Sequence, residues 1–239
     1  MAKHPTSRRV HRTASDDDKF VTGVLETSVW ARAHSRWMTI GVVSLVVVLA
    51  VFAYMRNISV QREQRAAREL VAVRSTMLSG NQQLAKSDLQ KFVNNFGNTS
   101  SGDVARLMLG QTELQANEPK NATATLQPVA KDAGTPLGYS ASLMLAAAYE
   151  ANKQPDEADR VYLRIADNAR FDFQKREALD RAARLRLERG NPQGAAQLYE
   201  RILATFDKLD PEKVDMQQKN VYAMRLAEIR ALAPANTRS

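Results

Sequence analysis

Asp156, Glu157 and Asp159 form an acidic cluster that could do chemistry, because paired carboxylates can share a proton and act as general acid and base. They follow Pro155 and precede an apolar stripe, where acids favour the first turn of a helix, and so read as its solvated start rather than as a dyad. Composition narrows the other chemistry. The 239 residues include no cysteine, which excludes disulfides and thiolate metal sites. The three histidines, His4, His11 and His34, all lie before residue 37, so the remainder of the chain can build neither an imidazole triad nor most zinc or iron sites. There is no Gly-rich phosphate loop, no HExxH and no GxSxG. No catalytic residue, metal ligand, cofactor or small-molecule substrate is expected.

A basic cluster comprises Arg56, Arg62, Arg65, Arg68 and Arg74, offset only by Glu63 and Glu69. No aromatic residue interleaves with these arginines, so they suit lipid phosphate better than nucleic acid, and no nucleic-acid partner is expected.

These residues are positioned first by the stretch Trp37 to Met55, 19 residues without a charge, bracketed by Arg36 and Arg56. As a helix it is about 28 Å long, close to the roughly 30 Å of a bilayer's hydrocarbon core. It reads as one membrane span over 37–55. Trp37 and Tyr54 stand near its ends, where amphipathic rings favour the headgroup region, and the two arginines can snorkel. With no ionisable group inside, it is an anchor in the lipid bilayer rather than a proton or ion path. A buried soluble helix of this length would keep a polar face. A signal peptide cut near Ala53 would have a shorter apolar run and a shorter leader.

Residues 1–14 are polar and basic and are expected to be disordered. Residues 15–35 open with Ser15 and three aspartates and then space Phe20, Val21, Val24, Leu25, Val29 and Trp30 at helical intervals, which predicts an amphipathic helix on the membrane surface. Basic residues flank both sides of the span. Counted over short flanks, the positive-inside rule points the large domain to the cytoplasm, but long domains translocate largely regardless of charge, and the amino-terminal tail carries seven basic residues. The tail is therefore placed inside.

About 180 residues follow the span, enough for one domain with its own core. They repeat. Ala85, Ala122, Ala158 and Ala195 stand 37, 36 and 37 residues apart, and Leu89, Leu126, Tyr162 and Tyr199 keep the same interval four places later. A small residue suits the close approach of two helices, and a large one a turn later fills the space between them. Breakers separate the helices: Ser79-Gly80-Asn81, Asn117-Glu118-Pro119, Asn152 to Pro155, and Arg189 to Pro192. The expectation is an all-α chain, a single transmembrane helix followed by an α-solenoid of about four hairpins over 61–232. The segment from Glu212 to Leu232 is expected to form its carboxy-terminal capping helix, and 233–239 a disordered tail.

The repeat pattern resembles the tetratricopeptide repeat. Leu145-Ala146, Tyr149, Ala158 and Tyr162 match it best; Leu109-Gly110 with Ala122, and Gly190, Ala195 and Tyr199, match in part, with Arg186 where a tyrosine belongs. The arrangement of acidic amphipathic segment, single span and degenerate repeats is similar to the ancillary SecYEG translocon subunit family (YfgM-like). Local resemblance covers Lys91-Phe92 to Asn98-Thr99, Leu107 to Leu114, Asn121 to Val129 and Met216 to Lys219. The resemblance implies a single-pass protein of the bacterial inner membrane, amino terminus cytoplasmic and repeat domain periplasmic, that binds SecYEG and periplasmic chaperones.

A solenoid of hairpins binds other proteins on the inner face formed by its first helices. By the repeat register that face includes Leu107, Gln111, Leu114 and Gln115, then Leu143, Ala147 and Glu150, then Asp180, Arg184 and Leu187. Some of these could instead pack against neighbouring units. The expected function is a non-enzymatic, membrane-tethered interaction scaffold. A structural assembly factor for the envelope or division machinery, or an enzyme with a carboxylate pair in the groove, are the rival readings.

Overall fold

The computed structural model describes residues 35–78, 80–210, 212 and 214–232. The expected tails over 1–14 and 233–239, and the expected amphipathic helix apart from Ser35, lie outside the described residues. Among the described residues there are nine α-helices, one 3-10 turn and no strand. They are α1 (Ser35–Leu78), α2 (Gln82–Phe96), α3 (Ser100–Gln115), α4 (Pro119–Leu126), α5 (Pro136–Ala151), α6 (Pro155–Asn168), α7 (Asp172–Glu188), α8 (Pro192–Phe206) and α9 (Met216–Leu232). The chain divides into two compact units between Val60 and Gln61.

In the first unit α1 carries Ile40, Val43, Leu45, Val48 and Phe52, all exposed. It is the one helix among the described residues long and apolar enough to cross a membrane. Arg36, Tyr54 and Arg56 are exposed on it, and the side chain of Trp37 lies outside the described residues.

In the second unit successive helices from α2 to α9 pack as neighbours, and Ala66, Leu70 and Val73 of α1 share a core cluster with Leu89 and Phe92 of α2 and Ala105 and Leu109 of α3. The small and large positions of the repeat are its core: Ala85, Ala122, Ala158 and Ala195 are buried, as are Leu89, Leu126, Tyr162 and Tyr199. Gly110 permits a close approach of α3 and α4, since a Cβ there would meet Leu126 Cγ at 2.5 Å. The four turns share one device. Gly80, Asn117, Lys153 and Gly190 have φ of 78°, 59°, 57° and 71°, the left-handed conformation that ends a helix. After the last three, the next residue's N–H reaches back to Glu113, Tyr149 and Arg186, closing orphan carbonyls.

The second unit of the repeat departs from the others. Its second helix, α4, ends at Leu126 because Pro128 has no N–H to give to Ala124, and the chain continues as the 3-10 turn Val129–Lys131. The freed Ala130 carbonyl accepts from Ser142 Oγ at 3.0 Å and from Arg164 Nη2 at 3.1 Å, so the break is sealed by α5 and α6. At the start of the domain, Glu63 of α1 adds to the local cap of α3, in which Thr99 Oγ1 accepts from the Gly102 N–H at 2.9 Å. The Glu63 carboxylate accepts from the backbone N–H of Ser100 at 2.7 Å and of Ser101 at 3.1 Å, and from Ser101 Oγ at 2.6 Å.

Candidate functional site

The acids singled out for chemistry are paired with cations. Asp159 binds Arg186, Asp156 binds Arg189 at 2.6 Å and Glu157 binds Arg160 at 2.8 Å. The polar cleft of about 420 Å³ lined by Asp156, Asp159, Arg186, Arg189 and Asn191 therefore places an arginine on each of its carboxylates, the opposite of the shared proton a dyad needs. His4, His11 and His34 are outside the described residues, and among the described residues no three acid or histidine side chains converge on a metal-sized site.

The first helices of the hairpins, α1, α3, α5 and α7, line the inner side of a stack of this kind. On these helices Gln111 and Gln115 of α3, Ala147 and Glu150 of α5, and Arg184 of α7 are exposed. Leu107, Leu114, Leu143 and Leu187 are half-buried and pack against the main core. Asp180 is buried, and accepts from Tyr199 Oη at 2.8 Å and Arg225 Nη1 at 2.7 Å while also pairing with Arg184 at 2.5 Å. It joins α7, α8 and α9.

A second polar cluster links α5, α6 and α7. Tyr139 Oη donates to Glu177 at 2.6 Å, Arg181 donates to the same carboxylate at 2.9 Å, and Tyr162 Oη donates to Glu150 at 2.5 Å. Burial first, then the adjoining carboxylates, push the Tyr139, Tyr162 and Tyr199 hydroxyls above the usual tyrosine range. They remain hydrogen-bond donors throughout the physiological range.

A family model described as a tetratricopeptide repeat-like domain matches residues 29–230. The chain belongs to this family. The fold is also similar to solved TPR-like repeats from a Podosopora anserina protein assigned as a kinesin light chain. A single-substitution variant of those repeats aligns with a TM-score of 0.53 and 19% identity, covering 72% of this chain and 89% of that one. A further structure of the same repeats aligns with a TM-score of 0.49 and 18% identity, covering 73% of this chain and 99% of that one. No curated protein sequence matches the chain. A tetratricopeptide-like fold is typically a non-catalytic scaffold for protein partners.

The repeat interval adds further positions to the register of these residues. Subtracting the 37-residue interval from exposed Gln111 and Gln115 gives Arg74 and Leu78 of α1, both exposed. The same interval relates Val71 of α1 to Met108 of α3, and 36 residues further lies Met144 of α5. From Met144 and Ala147, 37 residues lead to Arg181 and Arg184 of α7. The missed residues Val71, Arg74, Leu78, Met108, Met144 and Arg181 were recoverable from the interval that defined the alanines. For Val71, Arg74 and Leu78 of α1 that signal is masked by the apolar run that precedes them on the same helix.

Proposed function

We propose that the chain is a membrane-tethered scaffold that recruits other proteins through the inner face of its repeats, as an accessory factor of the Sec translocon and its periplasmic chaperones. Residues 37–55 are its anchor in the bilayer and 61–232 its interaction domain, with the amino terminus cytoplasmic. The observation that carries the reading is the exposed, ordered row of inner-face side chains on α3, α5 and α7, repeated at the interval of the fold. The anchor supports it, since a tether of this kind supplies location and raises the local concentration of membrane-bound partners. The secretion channel as destination follows from the resemblance to the translocon subunit family.

Two measurements test it in the native membrane. Protease added outside spheroplasts is expected to digest the chain after Arg56, and protection of that region overturns the periplasmic placement. Crosslinking in the native membrane is expected to recover translocon subunits and periplasmic chaperones; recovery of envelope-assembly or division proteins in their place moves the protein to that machinery.

A further inference from the structure

We infer that the inner face of the first three units is a docking groove for an amphipathic helix of a partner protein, with a carboxylate of that helix seated on Arg74. The inference rests on the scaffold reading and specifies its ligand. Successive first helices carry exposed Val71 and half-buried Met108 and Met144, whose inner parts pack on the core, at one register position, all uncharged, and the charges begin only with Arg181 in the fourth unit. Methionine is flexible and polarisable, so such a row fits apolar side chains of varied shape.

The charge of the groove decides the polarity of the ligand. Arg181 is bound by Glu177 and Arg184 by Asp180, at 2.9 Å and 2.5 Å. Arg74 has no ion pair or hydrogen bond among the described residues. It lines a cavity of about 290 Å³ between α1 and α3, together with Leu70, Val71 and Val104. Glu63, the one acid lining this cavity, is occupied by the N-terminus of α3. The site thus combines apolar walls, an uncommitted cation and no available carboxylate. An aliphatic side chain fills the cavity while an acid one helical turn away meets the guanidinium. A helix suits the rows better than a strand, because among the described residues there is no sheet edge for a strand to extend.

The test places a photoreactive side chain singly at Val71, at Gln111 and, as a comparison, at exposed Lys91 of α2, in the full-length protein in its own membrane. The expected result is an adduct with the same partner protein from positions 71 and 111. Its crosslinked peptide has aliphatic residues at helical spacing and an Asp or Glu within one turn. Arg74→Glu is expected to lower the adduct yield about tenfold, the effect of setting like charges opposite one another. Arg74→Lys keeps most of it, and both variants keep the parent's helical content because Arg74 is exposed. A yield unchanged by Arg74→Glu, a crosslinked peptide without an acid, an adduct with lipid or with a second copy of the chain, or no adduct at 71 and 111 overturns the inference. Adducts from Lys91 alone leave the scaffold reading standing on another face. Absence of protein adducts from all three positions counts against both.

Discussion

Arg186 of α7 holds Asp159 of α6 in a fork, Nε to Oδ1 at 3.0 Å and Nη2 to Oδ2 at 2.8 Å, and its Nη1 reaches the Gly194 carbonyl of α8 at 3.3 Å. This is the position at which the repeat pattern has a tyrosine, so one planar cation joins three helices where a ring would ordinarily pack. Both partners are mostly buried, with side chains 20% and 17% exposed. Arg186→Ala is expected to cost about 1–3 kcal/mol, because a charge-assisted pair is lost and Asp159 is left unpartnered. Arg186→Lys keeps the charge but not the fork and recovers less than half of that loss. Urea unfolding of the detergent-solubilised protein, followed by far-ultraviolet circular dichroism, measures both. Equal stability of the alanine variant would show that the tie is dispensable.

Lys153 adopts φ of 57° in a turn where Gly80 and Gly190 do the same at no steric cost. A side chain in the left-handed region costs about 1–2 kcal/mol, part of which is offset because glycine loses more entropy on folding. Lys153→Gly is therefore expected to raise the unfolding midpoint, by the equivalent of about 0.5–1 kcal/mol. Gly190→Ala should lower it by a similar amount. If both substitutions lower the midpoint, the lysine side chain stabilises the turn by some contact that outweighs its conformation.

The parts of this fold that can be read from the chain are those whose determinants recur. Ala122 and Leu126 announce a hairpin because the same pair appears at Ala158 and Tyr162 and again at Ala195 and Tyr199, and all of these are buried. The turns were legible for the same reason, although nothing local to Lys153 marks it as left-handed; its position relative to Gly190 does. Asp180 was harder. It stands at an inward register position and looks available, yet Tyr199 and Arg225, which enclose it, lie 19 and 45 residues along the chain. Pairings over such separations depend on how the last helix docks, which periodicity does not encode. Arg74 was missed for the converse reason, its repeat register being hidden behind its nearness to the apolar span.

Asp180 now has a structural role that can be separated from binding. Asp180→Asn removes the charge that faces both Arg225 of α9 and Arg184, and leaves a buried amide among cations. The expected consequence is local: α9 amides exchange with solvent faster by at least about tenfold, while those of α3 and α5 are unchanged. Hydrogen exchange read by mass spectrometry resolves the two regions. Unchanged protection of α9 together with weaker partner crosslinking would assign Asp180 to the binding surface instead.

Glu113 of α3 makes a pH-dependent contribution to the stability of the domain. It is 3% exposed, and its Oε2 has no hydrogen-bond partner. Burial raises its pKa above the ordinary 4.5, opposed by the Thr125 hydroxyl and by Lys86, which is itself paired with Glu118. Below 4.5 the carboxyl is protonated in both folded and unfolded chains and costs nothing; above its raised native value it is charged in both, and the full penalty of burying that charge is present. Between these limits the native state binds more protons than the unfolded state, so this group makes stability fall as pH rises. Glu113→Gln removes the charge and retains an oxygen for Thr125. The variant is therefore expected to be more stable than the parent at neutral pH, with the difference closing as pH falls below 4.5. Paired urea titrations across that interval measure the difference directly, and because the other titrating groups are common to both proteins, a gap that did not change with pH would show that Glu113 carries no buried charge.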